Sequence, residues 1–81
     1  MKKVWFENSN GVERVIGGAD NWQSVNRIID NFIAEANGRK PPNAPEFKRH
    51  YTRYWQQDDG RLRIDVGSHT EFFIWEGYLN N

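Results

Sequence analysis

Few side chains of this 81-residue chain are of a type that performs catalysis. The two histidines, His50 and His69, belong to no metal-ligand spacing, and the absence of cysteine removes thiolate nucleophiles, disulfides and cysteine zinc sites. Ser68 precedes His69, but adjacency in sequence does not bring a hydroxyl oxygen against an imidazole, and no oxyanion-hole motif accompanies the pair. We therefore predict that the protein is not an enzyme and needs no cofactor.

Two short segments resemble ligand-binding loops. Residues 58–60 (Asp-Asp-Gly) followed by Asp65 look like a fragment of a calcium loop, but the alternating ligands and the terminal Glu are missing, so a tight turn explains them better. Residues 17–20 (Gly-Gly-Ala-Asp) lead from a predicted strand into a predicted helix, where free N–H groups can hold an anion. Asp20 would itself occupy those donors as an N-cap. We predict no metal site.

The middle of the chain interleaves cations with aromatic rings. Residues 39–63 carry 7 basic and 3 acidic side chains, whereas residues 1–38 carry 4 and 5 and residues 64–81 carry 0 and 3. Such interleaving suits single-stranded nucleic acid, because cations neutralise phosphates while rings stack on bases. The chain has a net charge of zero and lacks an RRM, KH or cold-shock signature. A protein partner is therefore favoured over nucleic acid. The residues of the nucleic-acid alternative are Lys48, Arg49, Tyr51, Arg53 and Trp55.

The elements that must position these side chains can be read from the hydrophobic pattern. Residues 3–7 and 12–16 are predicted strands, and the Asn-Gly turn at 10–11 predicts an antiparallel hairpin. The period then changes to about 3.6, which indicates one amphipathic helix from an Asp20 N-cap to a left-handed residue at Asn37-Gly38. Its apolar stripe comprises Trp22, Val25, Ile28, Ile29, Phe32, Ile33 and Ala36.

The second half of the chain alternates in strand fashion after a proline-rich loop at 41–45. Residues 49–57, 61–66 and 71–76 form a predicted three-stranded meander, and the tail at 77–81 either folds back or frays. The fold class is therefore α+β in the order ββαβββ, an antiparallel sheet with a single helix packed on one face. Its length predicts a single domain over residues 1–81.

The twelve aromatic residues exceed what one sheet face under one helix requires. Aromatic pairs can simply stabilise a small sheet, but exposed apolar clusters often mark a binding surface, and Trp, Tyr and Arg dominate interface hot spots. Because residues alternate between the two faces of a strand, we expect some rings on the face away from the helix. The predicted partner-binding patch is Arg53, Trp55, Arg61, Arg63, Phe73 and Trp75.

In size, lack of cysteine, aromatic richness and an Asn-rich helix, the chain resembles small accessory proteins of bacteria and their phages, many of which act by docking onto another protein. This resemblance rests on general character and implies no residue roles. With no long apolar run, we expect no membrane span and a cytoplasmic location. We predict a small non-catalytic binding module whose partner is another protein or a second copy of the chain.

Overall fold

One antiparallel five-stranded sheet and one helix make up the fold, which a computed structural model describes over residues 1–79. The strands lie in the spatial order β2-β1-β5-β4-β3, so pairing of β1 with β5 joins the N-terminal hairpin to the C-terminal meander. The predicted α+β class and element order are confirmed. The elements are β1 (Lys2–Glu7), β2 (Glu13–Ala19), α1 (Trp22–Arg39), β3 (Arg53–Gln56), β4 (Leu62–Asp65) and β5 (Phe72–Trp75).

The helix begins one residue later than the sequence predicted and runs past its predicted end at residues 37–38. Asn21, not Asp20, is the N-cap, and its side chain accepts a hydrogen bond from the Ser24 N–H at 2.8 Å. The helix continues through Gly38 to Arg39 and stops before the prolines, because Pro41 disfavours helical backbone at Lys40. The predictions of an Asp20 cap and a left-handed end at residues 37–38 were therefore wrong.

The core lies between the helix and one face of the sheet. Val25, Ile29 and Ile33 form the fully buried part of the helical stripe, as their spacing predicted. They pack on Phe73 and Trp75 of β5 and on residues of β1 and β4. The indole Nε1–H of Trp75 donates to the Ala19 carbonyl at 3.0 Å, so this buried polar group is satisfied. Of the tail, Leu79 packs on the core, whereas residues 80 and 81 lie outside the described residues.

Two segments differ from the predicted strand limits. β2 runs on through residues 17–18, where Gly17 fits closely under the helix: a β-carbon there would stand 3.0 Å from the Ile28 side chain. β3 begins at Arg53 and not at residue 49, because Arg49 is turned towards the helix, where it binds Asp30 at 2.7 Å and contacts Asn26. The chain before β3 is thus held against α1 by a charged side chain.

Candidate functional site

A single register row crosses the outer face of the sheet, which we define as the face away from α1. Pairing places one residue from each strand in this row: Val15, Trp5, Ile74, Arg63 and Trp55, in spatial order. No helix covers this face within residues 1–79. The row therefore identifies one side chain of each strand that lies on the outer face.

Two residues of the predicted patch are not on this face. Phe73 is 0% and Trp75 1% exposed, and both belong to the core beneath the helix. Placing them in a partner-binding surface was wrong, because the side of each β5 residue depends on its pairing with β1, which the sequence does not reveal. Phe72 and Ile74 occupy the outer positions instead.

Arg61 covers Trp5 on the outer face. Its guanidinium carbon stands 4.7 Å from the centroid of that ring, which is a cation–π distance. The same guanidinium donates to both carboxylate oxygens of Glu13, at 2.8 and 3.1 Å, and binds Asp59 at 2.8 Å. Arg61 therefore joins the turn before β4 to the start of β2 across the intervening ring, and its side chain is only 23% exposed.

Arg63 covers the neighbouring part of the same face. Its guanidinium lies 4.6 Å from the Phe72 centroid, 2.5 Å from a Glu7 carboxylate oxygen and 2.9 Å from the Gln57 side-chain oxygen. Ile74 is fully buried although it faces away from the helix. The centre of the outer face is consequently closed by two ion-paired arginines lying over rings, and it offers little apolar surface to a partner.

The electrostatics of the outer face are balanced by carboxylates. Hydrogen bonds from Arg61 hold the pKa of Glu13 below its ordinary value and lower the pKa of Asp59 to about 2. Burial opposes ionisation of Asp65, but hydrogen bonds from Arg53 and from the Gly67 N–H outweigh it and lower its pKa. The three arginines of the outer face are thus paired with four carboxylates: Arg53 with Asp65, Arg61 with Glu13 and Asp59, and Arg63 with Glu7.

Exposed rings gather instead around β3. Tyr51 is 42%, Tyr54 50% and Trp55 45% exposed. Trp55 packs edge-on against Phe72, with ring centroids 6.4 Å apart, and the Arg53 guanidinium lies 5.0 Å from the Tyr51 centroid. We call Tyr51, Arg53, Tyr54 and Trp55 the β3 cluster.

The cluster sits on an open edge of the described sheet. The Gln57 N–H donates to the Arg61 carbonyl at 2.8 Å, so Gln57 and Arg61 form a hydrogen-bonded pair. Hydrogen-bonded and non-hydrogen-bonded pairs alternate along antiparallel strands, so this pair sets the pattern for the rest of β3 and β4. Arg53 and Trp55 therefore turn their backbone groups towards β4, whereas Tyr54 and Gln56 direct theirs outward from the sheet. Each strand residue of β3 is exposed. The site thus combines large rings with backbone groups that have no partner strand among residues 1–79.

The residues of the nucleic-acid alternative are divided by the structure. The Arg53 guanidinium lies over the Tyr51 ring, and Trp55 follows on the same face of β3, but Arg49 is held by Asp30 and does not join them. Arg53 is itself bound to Asp65 at 2.8 Å. The charge run in the sequence therefore does not form a continuous line of free cations.

The two histidines border one open groove, together with Glu46 and Glu71. Glu71 accepts a hydrogen bond from the Ser68 hydroxyl at 2.8 Å, so this serine is engaged by a carboxylate and not by the adjacent histidine. His69 has a positive φ of 74°, which fits a tight turn. Among residues 1–79, no hydrogen bond joins either imidazole to a carboxylate or hydroxyl, and no nucleophile–base pair is formed.

Sequence reasoning missed the exposure of Tyr54 and the outer-face positions of Phe72 and Ile74. The alternation of Leu62 and Ile64 with charged residues identified the faces of β4, and that assignment holds. The strands beside it carry rings on both faces, so their patterns contained no equivalent signal. The exposure of Tyr54 follows from the edge position of β3, which only the sheet order supplies.

Residues 1–79 contain no group of three His, Asp or Glu side chains that could hold a metal ion. Within the same residues, no helix is long and apolar enough to cross a membrane. Comparison of the chain with protein-family models, curated proteins and solved structures finds no match.

Proposed function

We propose that this protein is a small non-catalytic binding module that acts by protein–protein contact through the β3 cluster. The partner is another protein or a second copy of the chain, and the role is that of an accessory or inhibitor protein. The observation that carries the proposal is that three exposed rings and an arginine lie at one sheet edge, with Tyr54 on the helix side and Arg53 and Trp55 on the outer face, whose other rings are covered by arginines.

The chemistry of the cluster supports an anchoring role. Trp, Tyr and Arg are the residues that dominate interface hot spots, where truncation of one side chain costs at least about 2 kcal/mol of binding free energy. Trp55 already rests against Phe72, so little side-chain freedom is lost when a partner covers it. Arg63 supports the site, because it lies over Phe72, the ring that contacts Trp55. Arg61 lies over Trp5 on β1, farther from the cluster.

The charge balance favours a protein partner over a phosphate backbone. Affinity for nucleic acid comes largely from cations that neutralise phosphates and release counterions. The arginines of the outer face are matched by a larger number of carboxylates, which would repel phosphates. A protein surface with its own rings and polar rim has no such penalty.

Site-specific photo-cross-linking in a bacterial host tests the proposal. A benzophenone amino acid at position 55 should give discrete adducts with a protein, including a second copy of the chain as one outcome. The matched control is position 12. Val12 is comparably exposed at 59% but comes directly before β2, at the opposite edge of the sheet from β3. Adding Arg53→Ala should abolish the adducts at position 55. No adduct at position 55, or the same adducts at both positions, would overturn the proposal.

A further inference from the structure

We propose that the open edge of β3 pairs antiparallel with β3 of a second copy, with Tyr54 on the twofold axis. The inference rests on the proposed function, since it names the occupant of the same cluster. It predicts a continuous ten-stranded sheet across two protomers. With the axis perpendicular to the sheet, both outer faces lie on one side and both helices on the other.

The backbone of β3 has hydrogen-bonding groups in the positions that such pairing requires. Tyr54 and Gln56 present N–H and C=O groups outward that no strand within residues 1–79 pairs with, and such an edge is a template for another strand. Residues 53–56 include no proline, no lysine and no bulge; the strand is four residues long, and its one charged side chain, Arg53, is already bound by Asp65. The other edge differs, since the pairing of β2 with β1 shifts register between Val4 and Trp5 and β2 contains two adjacent glycines.

Side-chain chemistry selects the register. A pair centred on Arg53 would set two guanidinium groups against each other, and like charges directly opposite are destabilising. A pair centred on Trp55 would place Arg53 opposite Gln57 of the second copy. A pair centred on Tyr54 places Arg53 opposite Trp55 of the second copy, twice by symmetry, and directs the Tyr54 backbone groups of both copies at each other.

The paired arrangement keeps the interactions already present. Arg53 opposite Trp55 of the second copy is a non-hydrogen-bonded pair, whose side chains approach most closely. The Arg53 side chain is 66% exposed while bound to Asp65, so one face of its guanidinium is open to a ring. On the helix side, Tyr54 stays edge-on to Trp22, with centroids 5.3 Å apart. Pairing therefore completes the cluster without rearranging it.

Cysteine cross-linking tests the register, because the chain contains no cysteine of its own. Tyr54→Cys should form a disulfide dimer under mild oxidation, since hydrogen-bonded pairs hold their Cα atoms about 5.5 Å apart. Arg53→Cys is the matched control, because its thiol would face Trp55 and lie more than about 7 Å from its counterpart. Trp55→Cys distinguishes the alternative register, in which it alone would cross-link. Cross-linking of Tyr54→Cys no faster than of Arg53→Cys contradicts the inference.

Sedimentation of the full chain tests the association itself. The native protein should shift from monomer to dimer as its concentration rises to about 1 mM, the range of a weak complex. Trp55→Arg should remain monomeric because it sets two cations against each other, whereas Trp55→Glu should keep the dimer by offering Arg53 a carboxylate. Circular dichroism confirms that both variants fold. A monomer throughout the range overturns the second copy as occupant, while adducts of position 55 with a different protein would leave the proposed function standing.

Discussion

Replacing Arg61 with alanine tests whether the centre of the outer face is closed by the protein itself. The side chain is largely buried, makes a two-pronged bridge to Glu13 and lies over the Trp5 ring. Because solvent partly screens it, the ion pair of Arg61 with Glu13 contributes about 1 kcal/mol to the free energy of unfolding. The cation–π contact of Arg61 with Trp5 contributes a similar amount. Loss of the aliphatic stem that covers the ring adds about 0.5 kcal/mol. We expect Arg61→Ala to lower the free energy of unfolding by about 2.5 kcal/mol.

The assay is urea unfolding followed by far-ultraviolet circular dichroism. For a chain of this length the slope is about 1 kcal/mol per molar urea, so the midpoint should fall by about 2.5 M without a change of slope. Acrylamide should also quench tryptophan fluorescence more strongly, because Trp5 becomes exposed. Arg27→Ala is the matched control, since Arg27 is exposed on α1 and makes no ion pair within residues 1–79. Equally small shifts of the urea midpoint in Arg61→Ala and Arg27→Ala would show that Arg61 does not stabilise the outer face.

Three further predictions concern charge, backbone and ligand. Because the pKa of Asp59 is lowered to about 2, its contribution is complete above pH 4 and is lost as pH falls towards 2; the melting temperature should drop over that window, and less steeply in Arg61→Ala. An equally steep drop would contradict this. Gly67→Ala should destabilise by more than about 1 kcal/mol in urea unfolding, because its φ is 99° and a β-carbon would meet His50 at 3.0 Å. Gly38→Ala, within the helix and facing open space, should stabilise by about 0.5–1 kcal/mol, and the opposite order would be inconsistent with the backbone described. Titration with single-stranded oligonucleotides at low salt should leave tryptophan fluorescence unchanged, whereas salt-sensitive quenching would restore the nucleic-acid alternative.

The fold class was predictable because each element had an independent signal. The helix has a 3.6-residue stripe, and β4 alternates strictly between Leu62 or Ile64 and charged residues. The limits of the elements were less predictable. Arg49 leaves the strand because a partner on the helix, Asp30, attracts it, and β2 extends because Gly17 allows the helix to approach.

The candidate site was only half predictable for a related reason. Arg53 and Trp55 were placed correctly on the outer face, because they pair with β4, whose faces the sequence reveals. Phe73 and Trp75 were assigned to the wrong face, since a strand with rings on both sides carries no sign of which side meets the helix. The covering role of Arg61 depends on contacts 48 residues apart, which no local pattern encodes.

The covered centre changes how the aromatic surplus of this chain is understood. Much of it is stabilised within the protein, where arginines lie over rings and are held there by carboxylates. What remains for a partner is a small cluster at one edge, where backbone groups and rings are open together. We therefore propose binding by addition of a strand at this edge and not by docking on the middle of the sheet.

The most direct measurement of this claim is a concentration series of two-dimensional ¹⁵N NMR spectra of the native chain up to about 1 mM. We expect the amide shifts of residues 51–57 to move together and the Tyr54 amide to gain protection from hydrogen exchange as the protein concentration rises. Residues 13–19 of the opposite edge should stay unchanged and serve as the internal control. Shifts confined to that opposite edge, or a spectrum independent of concentration, would contradict strand pairing at β3.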